Sequence, residues 1–136
     1  MNLPYSPKNN PRVIVIQKLY GMYFNKDENL SFPKHRFKKF IKDVVIGTIE
    51  RDEVIKDEIS NHLNNDLSLK KLDKVFQVIV KSAIFELLYK PKISSKIIIN
   101  EYLRASNFFI DDKQTKYLNA LLDKISKKIR STNGWI

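Results

Sequence analysis

Apolar residues recur three to four positions apart along most of the chain, which is the spacing of amphipathic helices. The first run of this kind predicts a helix over residues 12–24, and Pro11 suits its first turn. The apolar positions of this predicted helix are Val13, Ile16, Tyr20 and Tyr23 or Phe24.

A polar segment at residues 25–31 separates this run from a second predicted helix, which has Pro33 near its start. A third helix is predicted in the acidic stretch that follows, ending near Asn64-Asn65-Asp66, because such side chains bond their own backbone in turns. The inner positions of the second helix are Phe37, Phe40, Ile41, Val44, Val45 and Thr48, and its outer face carries Lys34, Arg36, Lys38, Lys39 and Lys42.

Three further helices are predicted in the second half. Ser68 is placed to cap a short turn before a long helix over 72–89, and Pro91 lies just beyond its end. Ser94 and Ser95 are capping candidates for a helix over 96–109, although residues 97–99 alone would equally suit a buried strand. The last helix follows Asp111-Asp112, with its apolar stripe at Leu118, Leu121, Leu122, Ile125 and Ile129.

These elements predict an all-α fold. The chain has only three glycines and no alternating polar and apolar runs of the kind that strands show. A length of 136 residues suits one ordinary domain. We expect a flexible arm at residues 1–11, a single helical domain at 12–130 and a loose tail at 131–136.

Charge favours an acidic partner. The formal net charge is +10, which suits a phosphate-rich ligand, although a general bias toward lysine would also raise it. Residues 51–66 run against this trend, with two bases and five acids. The split predicts one acidic surface and a basic strip elsewhere, as in a nucleic-acid binder.

Several chemistries are excluded by composition. There is no cysteine, which excludes disulfides, thiolate metal sites and cysteine nucleophiles. The lack of cysteine gives no sign of an oxidising compartment, so a cytoplasmic protein is expected. No stretch reaches the ~18 apolar residues of a membrane span, which predicts a soluble protein. His35 and His62 are isolated, which argues against a metal site. We find no phosphate-binding glycine loop or nucleophile elbow, so no cofactor, small-molecule substrate or enzymatic activity is expected.

Short motifs in a defined order resemble the NusB transcription antitermination family. Residues 85–88, Phe-Glu-Leu-Leu, resemble that family's Tyr-Glu-Leu-Leu, and residues 99–101 match its Ile-Asn-Glu at the family spacing. Residues 116–125 resemble its Lys-Phe-Val-Asn-Gly-Val-Leu-Asp-Lys-Ile, with Ala120 in place of the glycine. Residues 17–20 resemble its Gln-Ala-Leu-Tyr, and Gly47 falls where the family has a glycine.

The resemblance implies two small helical bundles packed across each other, with about six or seven helices. It also implies a role in antitermination on ribosomal RNA operons. The partners would be the boxA RNA element, the ribosomal protein NusE and, indirectly, the RNA polymerase antitermination complex.

The resemblance also implies where RNA and NusE would bind. The family's arginine-rich run aligns with residues 8–12, where only Lys8 and Arg12 are charged. Lys113 stands where many family members carry an acid. The expected RNA contacts are Lys8, Arg12, Tyr20, Lys113, Lys116 and Tyr117, and the expected NusE contacts are Lys70, Lys74 and Phe76. The motif residues Glu86, Asn100, Glu101, Asn119 and Asp123 are interpreted as structural hydrogen-bonding groups rather than catalytic ones.

Two other functions stay open at this point. A purely protein-binding helical adaptor is favoured if the reduced arginine run means that RNA contact was lost. Some RNA cytosine methyltransferases carry a NusB-like domain, but this chain lacks a glycine-rich cofactor loop and a catalytic cysteine, which argues against methyl transfer.

Overall fold

The computed structural model describes residues 7–25, 31–62 and 72–132 of the chain. A single 3-10 turn, Pro7–Asn9, precedes six α-helices in this part of the protein. The helices are α1 (Pro11–Phe24), α2 (Lys38–Glu50), α3 (Asp52–Ser60), α4 (Lys74–Tyr89), α5 (Ser95–Ser106) and α6 (Asp112–Thr132). The described residues contain no strand, so the all-α prediction is confirmed for them.

Helix α4 is the centre of the fold and packs against each of the other five helices. Its residues from Phe76 to Leu87 are buried without interruption. A helix that is apolar on all sides needs neighbours on all sides. Helices α1, α2 and α3 form one group with α4, and α5 and α6 form the other, with α1 also touching α5.

Side-chain caps explain where several helices begin. The Asn10 side chain accepts hydrogen bonds from the amides of Arg12 and Val13 at the start of α1. Ser94 caps α5 by accepting from the amide of Ile97, as predicted. Asp111 and Gln114 bond each other's backbone amides at the start of α6, an arrangement that satisfies two otherwise free donors.

The end of α4 is tied to the end of α6 by one buried side chain, Arg130. Its guanidinium donates to the carbonyl oxygens of Leu87 at 2.9 Å, Ile93 at 3.1 Å and Lys90 at 3.4 Å. Carbonyls at a helix C-terminus lack partners within the helix, and a charged donor satisfies them well. Burial lowers the pKa of Arg130 from its ordinary value.

Three predicted boundaries are wrong. Helix α2 begins at Lys38 rather than near Pro33, because the side chain of His35 accepts the amide of Phe37 and its carbonyl accepts that of Lys38. Helix α3 ends at Ser60, short of the predicted turn at residues 64–66, which lies outside the described residues together with Ser68. The fifth helix is confirmed as a helix rather than a strand, and it ends at Ser106.

The two ends of the helical domain carry different residues. At one end, which we call the Arg12 end, Arg12 meets Phe40 of α2 and Glu86 of α4. At the other, the Tyr117 end, Tyr117 meets Phe76 at the start of α4, and Lys74 lies over Tyr23. None of the helices in the described ranges is long and apolar enough to cross a membrane.

Candidate nucleic-acid interface

A stacked pair of aromatic rings defines the Tyr117 end. The rings of Phe76 and Tyr117 lie 5.6 Å apart between centroids, with an angle of 20° between their planes. Phe76 is 2% exposed and belongs to the core, whereas Tyr117 is 38% exposed. The core therefore holds the Tyr117 ring in place while leaving part of it accessible.

Two lysines of the predicted site share the first turns of α6 with this ring. Lys113 and Lys116 are exposed, and both lie within four residues of Tyr117. The Asp111–Gln114 cap fixes where the helix begins, and Gln114 also donates to the carboxylate of Asp73 at 3.2 Å. The start of α6 is thus anchored to the start of α4, and the lysine side chains extend into solvent.

The exposed face of α1 supplies a second aromatic pair. Tyr20 and Phe24 pack edge to face with ring centroids 5.1 Å apart. Tyr20 is partly exposed, as the expected RNA contact requires, and Phe24 is 70% exposed. Helical spacing predicts either Tyr23 or Phe24 as the inner residue, and the structure leaves Phe24 the more exposed of the two.

Lys74 of α4 contacts the end of α1 through the ring of Tyr23. Its ammonium group lies 4.5 Å from the centroid of the Tyr23 ring, and Tyr23 donates a hydrogen bond to Gln77. Lys74 remains exposed. Helices α1, α4 and α6 carry exposed aromatic and basic residues toward this end of the domain. They include Tyr20, Phe24, Lys74, Lys113, Lys116 and Tyr117.

An open cavity lies beside Tyr23, and the sequence did not predict this cavity. It has a volume of about 380 Å³, with apolar walls that include Leu19, Met22 and Val78. Asp52 sits at this cavity between Lys56 and Lys81, at 2.8 Å and 3.0 Å. Burial alone would raise the pKa of Asp52, but hydrogen bonds from the two lysines lower it below its ordinary value.

Arg12 is 8% exposed and is held by a buried ion pair at the edge of an open cavity, and its expected contact with RNA stays a prediction. Its Nη2 lies 2.7 Å from Oε1 of Glu86, and its Nε lies 3.0 Å from Oε2. Burial opposes the charge of Arg12, but the hydrogen bonds and negative charge of Glu86 outweigh it and raise the pKa of Arg12. Lys8, four residues earlier, is exposed.

Tyr102 of α5 packs against the buried ion pair that Arg12 of α1 and Glu86 of α4 form. Its ring lies 5.5 Å from the guanidinium carbon of Arg12, and the residue is fully buried. Burial, and then the negative charge of Glu86, raise the pKa of the Tyr102 phenol well above its ordinary value. Phe40 contacts the same guanidinium at 4.8 Å, so Arg12 is enclosed by α2, α4 and α5.

The motif residues fall into two groups. Glu86 is completely buried, and its carboxylate pairs with Arg12. Asn100 and Asn119 are exposed, and their structural rather than catalytic role stays a prediction. Glu101 pairs with Arg104 at 3.6 Å, and Asp123 pairs with Lys127 at 3.1 Å on the surface.

Two of the expected NusE contacts are not exposed residues of the described structure. Phe76 is part of the core at 2% exposure, and its contact with NusE stays a prediction. Lys70 lies outside the described residues.

The two histidines do not form part of a metal site in the described residues. His35 is hydrogen-bonded to the backbone, and His62 is mostly buried. Within the described ranges, no three His, Asp or Glu residues lie together as metal ligands would.

Comparison with known proteins agrees with this architecture. The NusB family model matches residues 9–127. The transcription antitermination protein NusB of Rickettsia bellii is 32% identical over 118 residues, which cover 82% of this chain and 73% of that protein. The Enterococcus faecalis protein of the same name is 33% identical over 113 residues, with the same coverage of 82% and 73%.

Two solved structures share the fold. T. maritima NusB superposes with a TM-score of 0.77 at 25% identity, covering 94% of each chain. A chain from the complex of antitermination factors NusB and NusE with double-stranded RNA gives a TM-score of 0.72, covering 93% of this chain and 99% of that one. Its sequence identity is 17%, so this likeness supports the fold alone.

Fold and surface together define an all-helical module with exposed aromatic and basic residues at one end. The match over residues 9–127 spans most of the domain, and the curated relatives agree with it. The chain belongs to the NusB family.

Proposed function

We propose that this protein is a transcription antitermination factor that binds boxA-type single-stranded RNA of ribosomal RNA operon leaders together with NusE. In this role it assembles into the antitermination complex on RNA polymerase. Family membership supports the proposal, and its relatives carry the name of transcription antitermination proteins. The observation that carries it is the Tyr117 ring, stacked on Phe76 and flanked by Lys113 and Lys116.

Stacking and phosphate pairing are the physical basis of the RNA contact. An unpaired base stacks on an exposed aromatic ring for roughly 1–3 kcal/mol. The ammonium groups of Lys113 and Lys116 can pair with phosphates on either side of a base stacked on Tyr117. Tyr20 and Phe24 offer a second stacking surface on α1, and Lys8 offers a further phosphate contact.

We place the NusE contact at the start of α4. Lys74 is exposed there, and Tyr23, which it covers, also lines the neighbouring apolar cavity. A solved relative with this fold is named as a complex with NusE and double-stranded RNA. Lys70 belongs to the same proposal by its position in the sequence.

We further propose that the protein acts as an assembly module without a catalytic step and that it works in the cytoplasm, where transcription and its RNA product are found. Its domain would comprise residues 12–130. The start of α1 at Pro11 and the buried Arg130 support these limits.

The test is RNA binding across a salt series, with boxA RNA compared with a scrambled strand and NusE titrated in. The variant K113A/K116A/Y117A is compared with wild type. The matched control is K92A/K96A/F108A, which removes two exposed lysines and one exposed aromatic elsewhere.

We expect wild type and control to prefer boxA, and the first variant to lose that preference. Its salt dependence should fall by about 1.4 units if both lysines neutralise phosphates, at roughly 0.7 per contact. Equal binding of boxA and scrambled RNA by wild type, with and without NusE, would overturn the proposal.

A protein-binding adaptor is the second candidate, and the burial of Arg12 is the observation that favours it. With that cation enclosed, Lys8 alone supplies exposed charge in the aligned residues 8–12. Retained binding of NusE with no contribution from RNA would select this function.

A further inference from the structure

The most basic segment of the chain lies outside the surfaces described above. Residues 34–42 contain five cations and no acid. All five are exposed, while Ile41, Val44 and Val45 on the opposite side of α2 are buried. We call residues 34–42 the α2 basic segment. Its cations are Lys34, Arg36, Lys38, Lys39 and Lys42.

None of these cations has an acidic partner within the described residues. The first acid that follows them, Asp43, pairs with Lys90 at 3.7 Å. Among the residues that the structure describes, no carboxylate therefore pairs with the charges of the segment. A general lysine bias accounts for scattered lysines but not for an acid-free run with five cations in nine residues. Unpaired, clustered cations favour a polyanionic ligand.

An exposed aromatic ring lies within this segment. Phe37 is 41% exposed and directly precedes α2. The guanidinium carbon of Arg36 lies 5.3 Å from the centroid of its ring. Phe37 also borders an open cavity of about 440 Å³, whose other walls include Arg12, Phe40 and Glu101. A ring beside an open cavity can take a flat aromatic ligand such as an unpaired base.

A hydrogen-bonded histidine positions the segment beside Lys8. The Nε2 atom of His35 lies 2.9 Å from the carbonyl oxygen of Lys8, and the amide of Phe37 donates to its Nδ1. Both bonds are satisfied by a neutral imidazole with its proton on Nε2. Lys8 therefore lies directly beside the α2 basic segment at the Arg12 end.

We propose that the α2 basic segment and Lys8 form a second RNA contact, which binds the backbone of single-stranded RNA flanking boxA and stacks one unpaired base on Phe37. An acidic protein surface could pair with the cations, but it would leave the exposed ring of Phe37 and the adjacent cavity without a role. RNA is favoured because its phosphates can pair with the cations while a base stacks on the ring. The inference rests on the proposed function, because it extends the path of an RNA already bound at the Tyr117 end.

The test compares boxA RNA alone with boxA RNA carrying a single-stranded flank at either end. The variants are K38Q/K39Q/K42Q and F37L, with K92Q/K96Q/K127Q as the charge-matched control and F37Y as the ring-retaining control. All of these side chains are exposed, so the fold is expected to persist, and circular dichroism checks this.

We expect a flank to tighten binding by wild type, by the charge control and by F37Y. In K38Q/K39Q/K42Q the salt dependence for flanked RNA should fall by about 2 units, at roughly 0.7 per phosphate contact. In F37L the gain from the flank should shrink roughly 5- to 150-fold, the range of one lost stacking contact.

The inference is overturned if flanked RNA gains no affinity in wild type, or if the gain is unchanged in K38Q/K39Q/K42Q and F37L. Loss of NusE binding in K38Q/K39Q/K42Q with the flank gain intact would also overturn it and would assign the segment to protein contact. Preference for unflanked boxA over a scrambled strand is measured in a separate titration. That preference tests the proposed function, whereas the effect of the flank tests this inference.

Discussion

Arg12 and Glu86 are 74 residues apart in sequence and form a two-pronged ion pair in the core, with N–O distances of 2.7 and 3.0 Å. The pair joins the start of α1 to the end of α4, and the Glu86 side chain is completely buried. A buried carboxylate is tolerated when a fixed donor fork satisfies it.

Removing one partner of this pair should destabilise the fold strongly. Arg12→Ala leaves the Glu86 carboxylate buried without its partner, so we expect a loss of about 3–5 kcal/mol in the free energy of unfolding. Urea denaturation measures it. The double variant R12M/E86L should recover much of the loss, because two apolar side chains of similar size replace the pair.

Arg12→Ala also separates a structural role from an RNA contact. If Arg12 bound RNA, the variant would lose RNA affinity and salt dependence while its unfolding midpoint stayed at the wild-type value. That result would contradict the enclosed geometry described here.

Phe76 and Tyr117 are in contact, yet we expect their substitutions to act on different properties. Phe76→Ala should cost about 3–5 kcal/mol of stability, because the ring is in the core. Tyr117→Ala should lose only the aromatic contact, about 0.5–1.5 kcal/mol of stability, and weaken boxA binding by about 1–3 kcal/mol. Urea denaturation and RNA titration measure the two effects, and a stable Phe76→Ala variant that fails to bind NusE would refute this division.

Gly47 is required by close packing between α2 and α4. A Cβ atom at this position would lie well inside van der Waals contact of the Phe85 ring. Gly47→Ala should therefore lower the free energy of unfolding by about 1–3 kcal/mol, although alanine favours a helix by about 1 kcal/mol. In a double-mutant cycle, Phe85→Leu should relieve the clash, and simple additivity would argue against this cause.

Stability should fall in mild acid because of His62. Burial, and then the positive charges of Lys128 and Lys124, lower its pKa, while Glu58 opposes them. A histidine with a lowered folded pKa stabilises the fold fully above its unfolded value of about 6.5, and this contribution is lost as the pH falls through the folded pKa. Between pH 7.5 and pH 5.5, His62→Gln should lose less stability than wild type in urea denaturation. An equal loss in both proteins would show that another group is responsible.

Helix positions were largely predictable because they depend on local patterns. The spacing of apolar residues predicted α1, α4 and α6 to within about two residues at each end, and Ser94 was identified as a cap. The start of α2 was not predictable in this way. It depends on His35, which accepts the amides of Phe37 and Lys38 and whose ring is held against the backbone of Lys8.

The candidate site was only partly predictable. Lys113, Lys116 and Tyr117 lie together because they share one helix start, a local property. The exposure of Phe24 and Phe37 and the burial of Arg12 and Phe76 depend on neighbouring helices. Helical spacing cannot tell a core ring from an exposed one when the apolar stripe is wide.

By itself, the amino-acid sequence determined the helical class, most helix limits, the basic character and the family motifs, because these follow from residue type and spacing along one chain. Tertiary structure alone decided that Arg12 is an internal ion-pair partner, that Tyr117 is supported by Phe76 and that the α2 basic segment lies beside Lys8. Each of these depends on which helices meet, and burial and charge pairing are properties of that contact rather than of either segment.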